Sequence, residues 1–561
     1  MSRVMESTWR GHRSSYPQVD PRAGGGVTAA VREIPADLSL REARALMVEQ
    51  GVPYLVARLG QRVGLVERPN VERALAWDLG KHPVALALCV DLPVVKAEAP
   101  EVRLRRCLLR APRVLVGTTG RWLGVAERQS PATLPRMARN ELGRLPRGIQ
   151  RLLTVAGRVG DEQGVSVALV GGAVRDLLLG SREVDLDLLI EGDGLDFARR
   201  LGRRLSARVT PHRAFLTTRL TLPDGRTVDV ATARRERYPA PGCLPRVEVG
   251  TLLDDLRRRD FTINAMALFL NAPCYGAVED PLGGMEDLRR RVLRVVHPLS
   301  FIEDPARVFR AARFAARSGL RLTPGSRHLA RQAMALDVYH PQAFRRLGAE
   351  LALSVSQGDP PSVFRILGRL GGLRLLTPAI RAHHQLLSSV KATLTWYARI
   401  AGMVGESALA LYLLGLTQGL ADAEVTALLD RLGLARVKRP MEESRRAAPA
   451  ILRIASRTSR RRASRIALGL RSFAGLTTLW AVVRSRGRTR VNLHRYLETL
   501  RHIRPTLTGD DLRRMGIPPG PAYRRLLDAL LAARVDGRVA SRGEEVRLVR
   551  ELIKSKSTRQ R

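Results

Sequence analysis

Lysine, aromatic side chains, cysteine pairs and long apolar runs are all scarce in this sequence. Six of its 95 basic residues are lysine, and aromatic residues make up 4% of its 561 positions. It has no run of about 18 apolar residues, the length that a membrane-spanning helix needs. The N-terminal residues lack the apolar core of a signal peptide. These absences predict a cytoplasmic protein with no membrane partner.

The few cysteines exclude two further classes of protein. No C-x-x-C spacing occurs among them, which excludes the usual zinc sites and the disulfide framework of a small secreted domain. A reducing compartment is consistent with that pattern. The four residues are Cys89, Cys107, Cys243 and Cys274.

Arginine supplies nearly all of a large positive charge. The formal net charge is +42 and the sequence pI is about 11.5. Such an excess favours a polyanionic partner, and nucleic acid is the first candidate because arginine neutralises backbone phosphates. An anionic membrane surface is the second candidate, but no amphipathic anchor is evident.

Changes in pattern divide the chain into six segments. They predict a multidomain fold, α/β in its first part and all-α in its last part. The segments are a disordered leader (1–27), a repeated module (28–130), a linker (131–146), an α/β domain (147–275), a neck (276–345), and a helical body and tail (346–561).

The module at 28–130 contains a faint internal repeat of one helix and two short strands. It resembles a CBS-domain pair, which implies an adenosine nucleotide as its ligand. That family usually carries a threonine just after the second strand and an aspartate three residues later. Here Glu67 and Asn70 stand at those places in the first copy, and Glu127 and Ser130 in the second. A purely structural or dimerising pair is therefore an equal alternative, and a homodimer is left open.

The stretch "VSVALVGGAVRDLLLG" predicts a phosphate-binding turn. An apolar strand ends at Gly171 and Gly172, and a helix begins near Ala173. Glycines let a ligand approach the backbone closely, and the N–H groups at a helix start favour an anion. Arg175 follows in the first turn and can reach the same anion. The alternative is a tight turn with a surface arginine.

Two acids follow in "EVDLDLLIEG". Side chains alternate between the faces of a strand, so Asp185 and Asp187 share one face. Two neighbouring carboxylates repel each other, and burial increases that cost. Oxygen ligands at this spacing suit Mg²⁺, which also bridges phosphate oxygens. The pair is therefore a predicted metal site, the alternative being two solvated surface aspartates.

Six ordered motifs then resemble one family, the class II tRNA nucleotidyltransferases and poly(A) polymerases of the polymerase-β superfamily. They are "GGAVRD", "DLD", "VDVATARRERY", "RRDFTINAMAL", "DPLGGMEDL" and "EDPARVFRAARFA". The resemblance implies a head with a small mixed sheet, followed by a helical neck, body and tail. The repeated module and "IEGDGLDFARRL" resemble the subgroup that adds only the terminal A.

The segment "EDPARVFRAARFA" predicts a helix that selects the nucleobase. Asp304 and Arg307 offer one acceptor group and one donor fork, which fit cytosine and adenine but oppose the carbonyl of uracil or guanine. The family assigns this role to the same Asp and Arg. Arg310 and Arg313 continue the series at every third residue, next to the predicted phosphate site; the alternative is a solvated helix face.

Three residues of "RRDFTINAMAL" complete the predicted nucleotide site, and one strand aspartate is a further catalytic candidate. The resemblance gives Arg259 and Asp260 to the incoming nucleotide, while Asn264 braces their loop. Asp229 could accept the proton of the primer 3′-hydroxyl, or be structural.

The predicted function is addition of AMP, with CMP left open, from an NTP to the 3′ end of tRNA, with Mg²⁺ as cofactor. The acceptor arm would be held by the arginine-rich helical part. Two alternatives remain: a poly(A) polymerase that extends RNA 3′ ends, and a non-catalytic RNA-binding protein regulated by the repeated module.

Overall fold

The computed structural model describes residues 29–118, 121–128, 133–134, 139–182, 184–401, 405–457 and 463–557. The predicted leader at 1–27 lies outside these residues. The chain divides into two compact units, 1–343 and 344–561. The first unit contains the repeated module, the α/β head and the neck, and the second is built from helices.

Each copy of the repeated module contains the predicted helix and two strands, preceded by one strand that the sequence repeat did not predict. In each copy the first strand runs parallel to the second, and the second pairs antiparallel with the third. Buried residues of both copies, including Val56 and Leu115, share one core. The first copy contains β1 (Val31–Ile34), α1 (Leu40–Glu49), β2 (Tyr54–Leu59), β3 (Arg62–Glu67), α2 (Arg68–Ala76) and β4 (Leu88–Cys89). The second contains β5 (Val94–Lys96), α3 (Glu101–Arg110), β6 (Arg113–Thr118) and β7 (Arg121–Glu127).

The head is built on an eight-stranded mixed sheet. Its strands are β8 (Thr133–Leu134), β9 (Ser166–Val170), β10 (Leu186–Glu191), β11 (Arg208–His212), β12 (Thr217–Thr221), β13 (Thr227–Thr232), β16 (Ala267–Phe269) and β17 (Val278–Glu279). They lie in the order β11-β12-β13-β10-β9-β16-β17-β8. A separate hairpin is formed by β14 (Arg234–Arg237) and β15 (Arg246–Val249). The helices of the head are α4 (Arg139–Gly143), α5 (Arg147–Gln163), α6 (Gly172–Leu178), α7 (Gly194–Arg204) and α8 (Leu252–Arg257).

The predicted small mixed sheet is confirmed, because β10 pairs parallel with β13 and antiparallel with β9. The apolar alternation of β10 explains its place at the centre of the sheet. Leu186, Leu188 and Ile190 enter one core cluster, while Leu189 on the opposite face joins a second. That second cluster contains Leu252 and Leu256 of α8. Helix α8 is therefore docked on the face of β10 that also carries Asp187.

The neck consists of four helices and two paired two-residue strands. These are α9 (Gly284–Arg289), β18 (Val292–Leu293), α10 (Ser300–Glu303), α11 (Ala306–Ser318), β19 (Arg321–Leu322) and α12 (Pro324–Ala335). Helix α11 starts as predicted: the Asp304 carboxylate accepts a 3.1 Å hydrogen bond from the Ala306 N–H, and Pro305 has helical dihedral angles. The helix ends at Gly319, whose φ of 65° is left-handed.

The second unit begins within α13 (Gln342–Ser356). No helix in the described residues is long and apolar enough to cross a membrane. The remaining helices are α14 (Pro360–Leu370), α15 (Gly372–Leu376), α16 (His384–Ala401), α17 (Gly405–Leu416), α18 (Asp422–Arg431), α19 (Ala435–Arg457), α20 (Ala463–Leu470), α21 (Gly475–Arg484), α22 (Gly487–Glu498), α23 (Gly509–Arg514), α24 (Pro521–Val535) and α25 (Arg542–Ser557).

Helix α5 approaches the central sheet so closely that only glycine fits at position 157. A Cβ there would lie 2.0 Å from the Leu270 carbonyl oxygen. We expect Gly157→Ala to lower the free energy of unfolding by about 2 kcal/mol, because backbone must shift to admit one methyl group. Chemical denaturation measures this. Gly143→Ala is the control, since a Cβ there meets nothing within 4 Å; equal stability of the two variants would contradict the prediction.

Candidate active site

Three carboxylates meet at the ends of β10 and β13. Asp187 and Asp229 are direct partners in the parallel register of the two strands, and the exposed Asp185 precedes β10. Burial raises the pKa of Asp187 to about 6, and the negative charges of Asp229 and Asp185 add to that rise. The predicted pairing of Asp185 and Asp187 on one face is therefore accompanied by a third acid.

Asp229 has a partner that the sequence did not reveal. Its two carboxylate oxygens accept hydrogen bonds from Arg219 on β12, both at 2.8 Å. The two side chains are about half exposed. This bidentate pair fixes the carboxylate beside Asp187, so it is compatible with a catalytic role and with a structural one.

The carboxylates are a reasonable ligand set for a divalent cation. Burial raises the pKa of Asp187, and the charges of Asp229 and Asp185 add to that rise; a doubly charged ion beside them would stabilise the ionised form. Within the described ranges, no group of three or more His, Cys, Asp or Glu side chains is placed to hold a metal ion. Magnesium commonly takes one or two carboxylates and completes its shell with phosphate oxygens and water. The donor set fits Mg²⁺ at Asp185 and Asp187, which stays a prediction.

The predicted glycine turn lies against Arg259. Gly171 has a φ of 72°, and a Cβ on it would lie 2.6 Å from Arg259 Nη1. A Cβ on Gly172 would lie 3.4 Å from Arg175 Nη2. The positive charge of Arg259 also opposes the rise in the pKa of Asp187. One arginine therefore connects the glycine turn to the acidic strands.

Arg259 is held by a buried acid that sequence reasoning missed. Asp255 of α8 has no exposed surface. Its carboxylate accepts hydrogen bonds from Arg259 at 2.9 and 3.2 Å and from Arg258 at 2.6 and 2.9 Å. The signal was present in "DDLRRRD", where the acid stands three and four residues before the two arginines, the spacing of neighbours on a helix.

A chain of hydrogen bonds joins four other predicted residues. Arg175 donates to the Asn264 side-chain oxygen at 2.7 Å, and the Asn264 amide donates to Asp260 at 3.0 Å. Arg310 donates to the other oxygen of Asp260 at 3.2 Å. Asn264 is thus at the centre of the predicted nucleotide-binding residues, which agrees with its predicted bracing role.

The motif "DPLGGMEDL" packs against the loop that contains Asn264. The Asp287 carboxylate accepts hydrogen bonds from the Thr262 hydroxyl at 2.5 Å and from Arg294 at 2.8 Å. A Cβ on Gly284 would lie 2.2 Å from the Thr262 carbonyl oxygen. The motif therefore positions the turn Thr262–Asn264 through packing and buried hydrogen bonds.

Helix α11 presents its arginines in different environments. Arg307 and Arg313 are buried, whereas Arg310 is 44% exposed. Arg313 and Arg175 both lie over the ring of Phe314, at 5.3 and 5.0 Å from its centroid. A wholly solvated arginine face is therefore excluded for this helix.

Arg307 makes hydrogen bonds on both sides of its guanidinium group. Nη1 donates to the Ser300 hydroxyl at 2.7 Å and to Glu303 at 3.2 Å. Nη2 donates to the Arg258 carbonyl at 2.9 Å and to the Tyr238 hydroxyl at 3.3 Å. A base that pairs with Arg307 must therefore exchange some of these contacts or use the remaining N–H.

Glu67 and Glu127, the acidic residues at corresponding positions of the two copies, form ion pairs within the protein. Arg113 pairs with Glu67 of the first copy and, at 3.2 Å, with Glu127 of the second. Tyr54 also donates a hydrogen bond to Glu127. These bonds tie the two copies together, and the adenosine nucleotide expected here stays a prediction.

The fold and these contacts can be compared with those of known proteins. Residues 167–294 match the family model of the poly(A) polymerase head domain. This part of the chain is therefore similar to the head that class II tRNA nucleotidyltransferases and poly(A) polymerases share.

Known proteins resemble more of the chain than the head. The A-adding tRNA nucleotidyltransferase of Geobacter sulfurreducens is 34% identical over 94% of this chain, which spans 64% of that relative's length. The CC-adding tRNA nucleotidyltransferase of Deinococcus radiodurans is 45% identical over 37% of the chain, and the match covers 55% of the relative. The structure of the Thermotoga maritima CCA-adding enzyme complexed with tRNA has a TM-score of 0.63 and 28% identity, covering 74% of this chain and 98% of that one.

The buried carboxylate of Glu303 gives the head a measurable acid sensitivity. Burial alone would raise its pKa, but the charge and hydrogen bond of protonated His297 and the charges of Arg307 and Arg73 lower that pKa from 4.5 to about 2. Burial lowers the pKa of His297 itself, so the imidazole contributes its charge only in acid. A lowered folded-state pKa contributes stability that is complete above pH 4.5 and is lost as the pH falls toward about 2.

We therefore expect Glu303→Gln to be less stable than wild type by about 3 kcal/mol at neutral pH. The difference should shrink between pH 4.5 and 2, because the wild-type carboxyl then becomes neutral as well. Denaturant unfolding of both proteins across this range measures it. A difference that stays constant with pH would contradict the assignment.

Proposed function

We propose that this protein adds AMP from ATP to the 3′ end of tRNA without a nucleic-acid template. The observation that carries the proposal is the convergence of the acidic strands, the glycine turn and helix α11 within one unit of the chain. Arg259 links the first two, and the Arg258 carbonyl links them to Arg307. The similarity to an A-adding enzyme over 94% of the chain supports the tRNA substrate and the choice of AMP.

In the proposed reaction the 3′-hydroxyl oxygen of the tRNA bonds to the α-phosphorus of ATP. The bond from that phosphorus to the bridging oxygen breaks, and pyrophosphate leaves with the electron pair. Asp229 is the candidate acceptor of the hydroxyl proton, because it lies opposite Asp187 in the strand register. Arg219 holds it there and keeps its two oxygens in a fixed orientation.

Asp185 and Asp187 are the residues that would hold Mg²⁺. When bound, the ion would supply the positive charge that stabilises the transferred phosphate and the departing pyrophosphate. Gly171 and Gly172 let the guanidinium groups of Arg259 and Arg175 lie close to the backbone of the turn, where both would offer charged donors to phosphate oxygens.

Other predicted residues, linked to these by hydrogen bonds, would bind the sugar and the base of the nucleotide. Asp260, an acceptor, would bind a ribose hydroxyl, and Asn264 and Arg310 hold its carboxylate by hydrogen bonds. Asp304 accepts from an exocyclic amino group and Arg307 donates to a ring nitrogen, a combination that adenine and cytosine share. Residues 344–561 contain 41 Lys and Arg against 16 Asp and Glu, which suits a grip on the tRNA backbone.

Incorporation into tRNA transcripts with defined ends tests the proposal. With ATP alone, a transcript that ends in CC should gain one nucleotide, because the terminal A completes the acceptor end. A long ladder would identify a poly(A) polymerase, and no incorporation would favour a non-catalytic RNA-binding protein. Addition of CTP with transcripts that end in C, or before the CCA end, determines whether CMP is added as well.

Replacing either acid of the proposed metal pair tests the chemistry separately from tRNA binding. We expect Asp187→Asn and Asp185→Ala to reduce AMP incorporation by at least about a thousandfold, since the charge that balances the triphosphate is lost. Retention of tRNA in a gel-shift assay should be unchanged.

Asp224→Asn is the matched control for these variants. Asp224 lies in the exposed turn between β12 and β13 and pairs with Arg226 at 2.6 Å. Its loss should leave incorporation as in wild type. Full activity of Asp187→Asn would refute the metal assignment.

A further inference from the structure

One helix of the repeated module reaches two of the groups that hold Arg307. Helix α2 carries Arg73, whose Nη1 donates to Glu303 at 2.9 Å. Its C-terminal cap, Trp77, donates from the indole N–H to the Tyr238 carbonyl oxygen at 3.0 Å. Glu303 and Tyr238 are in turn hydrogen-bonded to opposite ends of the Arg307 guanidinium.

The two carboxylate oxygens of Glu303 contact different partners. Oε1 accepts from Arg73, while Oε2 accepts from Arg307 at 3.2 Å and lies 3.1 Å from His297 Nε2. The carboxylate is only 5% exposed. The contact with Arg73 therefore fixes the plane of the carboxylate and, with it, the direction in which the other oxygen holds Arg307.

The Trp77 contact acts on the other side of the same arginine. The indole is 8% exposed, and its hydrogen bond anchors the backbone at Tyr238. The ring of Tyr238 lies 5.8 Å from the Arg307 guanidinium, and its hydroxyl accepts from Nη2. Two contacts from one helix thus converge on one buried side chain.

The repeated module is also attached to the neck elsewhere. The Asp91 carbonyl accepts from Arg294 at 3.0 Å, and the Asp91 carboxylate accepts from the Gly325 N–H at 3.1 Å. These bonds do not involve α2. Removal of the Arg73 side chain should therefore loosen Arg307 without detaching the module.

We propose that Arg73 and Trp77 are positioning residues for nucleobase selection, acting through Glu303 and Tyr238 on Arg307. The inference rests on the proposed function, because it takes Arg307 as a residue that reads the base. The repeated module then contributes to the specificity of the head, since Arg307 selects a base only when its guanidinium group is held in one orientation.

The experiment compares ATP with GTP in two assays. Isothermal titration calorimetry measures the binding of each nucleotide, and AMP or GMP incorporation into a tRNA ending in CC gives kcat and KM. Arg73→Ala should lower the ratio of kcat/KM for ATP to that for GTP by roughly tenfold or more, because a donor displaced by a fraction of an ångström no longer discriminates. The ratio of the two dissociation constants should fall with it.

Arg68→Ala is the matched control on the same helix. Arg68 pairs with the exposed Glu72 at 3.5 Å, so neither ratio should change. Trp77→Phe, which keeps an aromatic ring but loses the indole donor, should shift the ratios in the same direction as Arg73→Ala. Arg73→Lys keeps one charged donor and should restore part of the selectivity.

A double-mutant cycle excludes a general structural effect. In a Glu303→Gln background, Arg73→Ala should cause no further loss of selectivity, because the group through which it acts has already changed. Unaltered ratios in both Arg73→Ala and Trp77→Phe would overturn the inference while leaving the proposed function intact. A wild type that binds ATP selectively but adds no nucleotide would overturn the proposed function alone.

Discussion

The burial of Asp187 beside a second carboxylate on the adjacent parallel strand is the constraint on which the proposed site depends. Asp187 and Asp229 are register partners, and the burial and charge around Asp187 raise its pKa to about 6. A sheet would not keep such a pair for stability, because an apolar partner at either position would cost less. The arrangement makes sense where an opposing charge arrives from outside, as Mg²⁺ with a triphosphate would.

The surrounding arginines carry the opposite charge, and burying them is costly for the same reason. Each is fixed by an acid of the protein: Arg259 by the buried Asp255, Arg307 by Glu303, and Arg310 by Asp260. A buried guanidinium without a partner would be costly and would move. With partners it is a donor held in place before the nucleotide arrives, and such preorganisation is what makes charged groups effective in a site.

The residues proposed to carry the chemistry were easier to predict from the sequence than the residues that hold them in place. Asp185, Asp187, Gly171 and Arg175 could be placed because strand alternation and a strand–glycine–helix turn are local patterns. Asp255 and Glu303 were missed although each stands three or four residues before its arginine, since such a spacing is common on surface helices and only burial makes it important. Arg219 and Tyr238 could not be predicted, because their contacts depend on strand register and on packing between distant segments.

The choice between adenine and cytosine cannot reside in Asp304 and Arg307 alone, since both bases offer the same edge to that pair. If Asp304 and Arg307 read the base as proposed, the orientation of the pair would contribute to that selection. That orientation is set by Glu303 and Tyr238, both of which touch a helix outside the head. On the inference drawn above, an appended module would change the specificity of the head without altering any residue that touches the base.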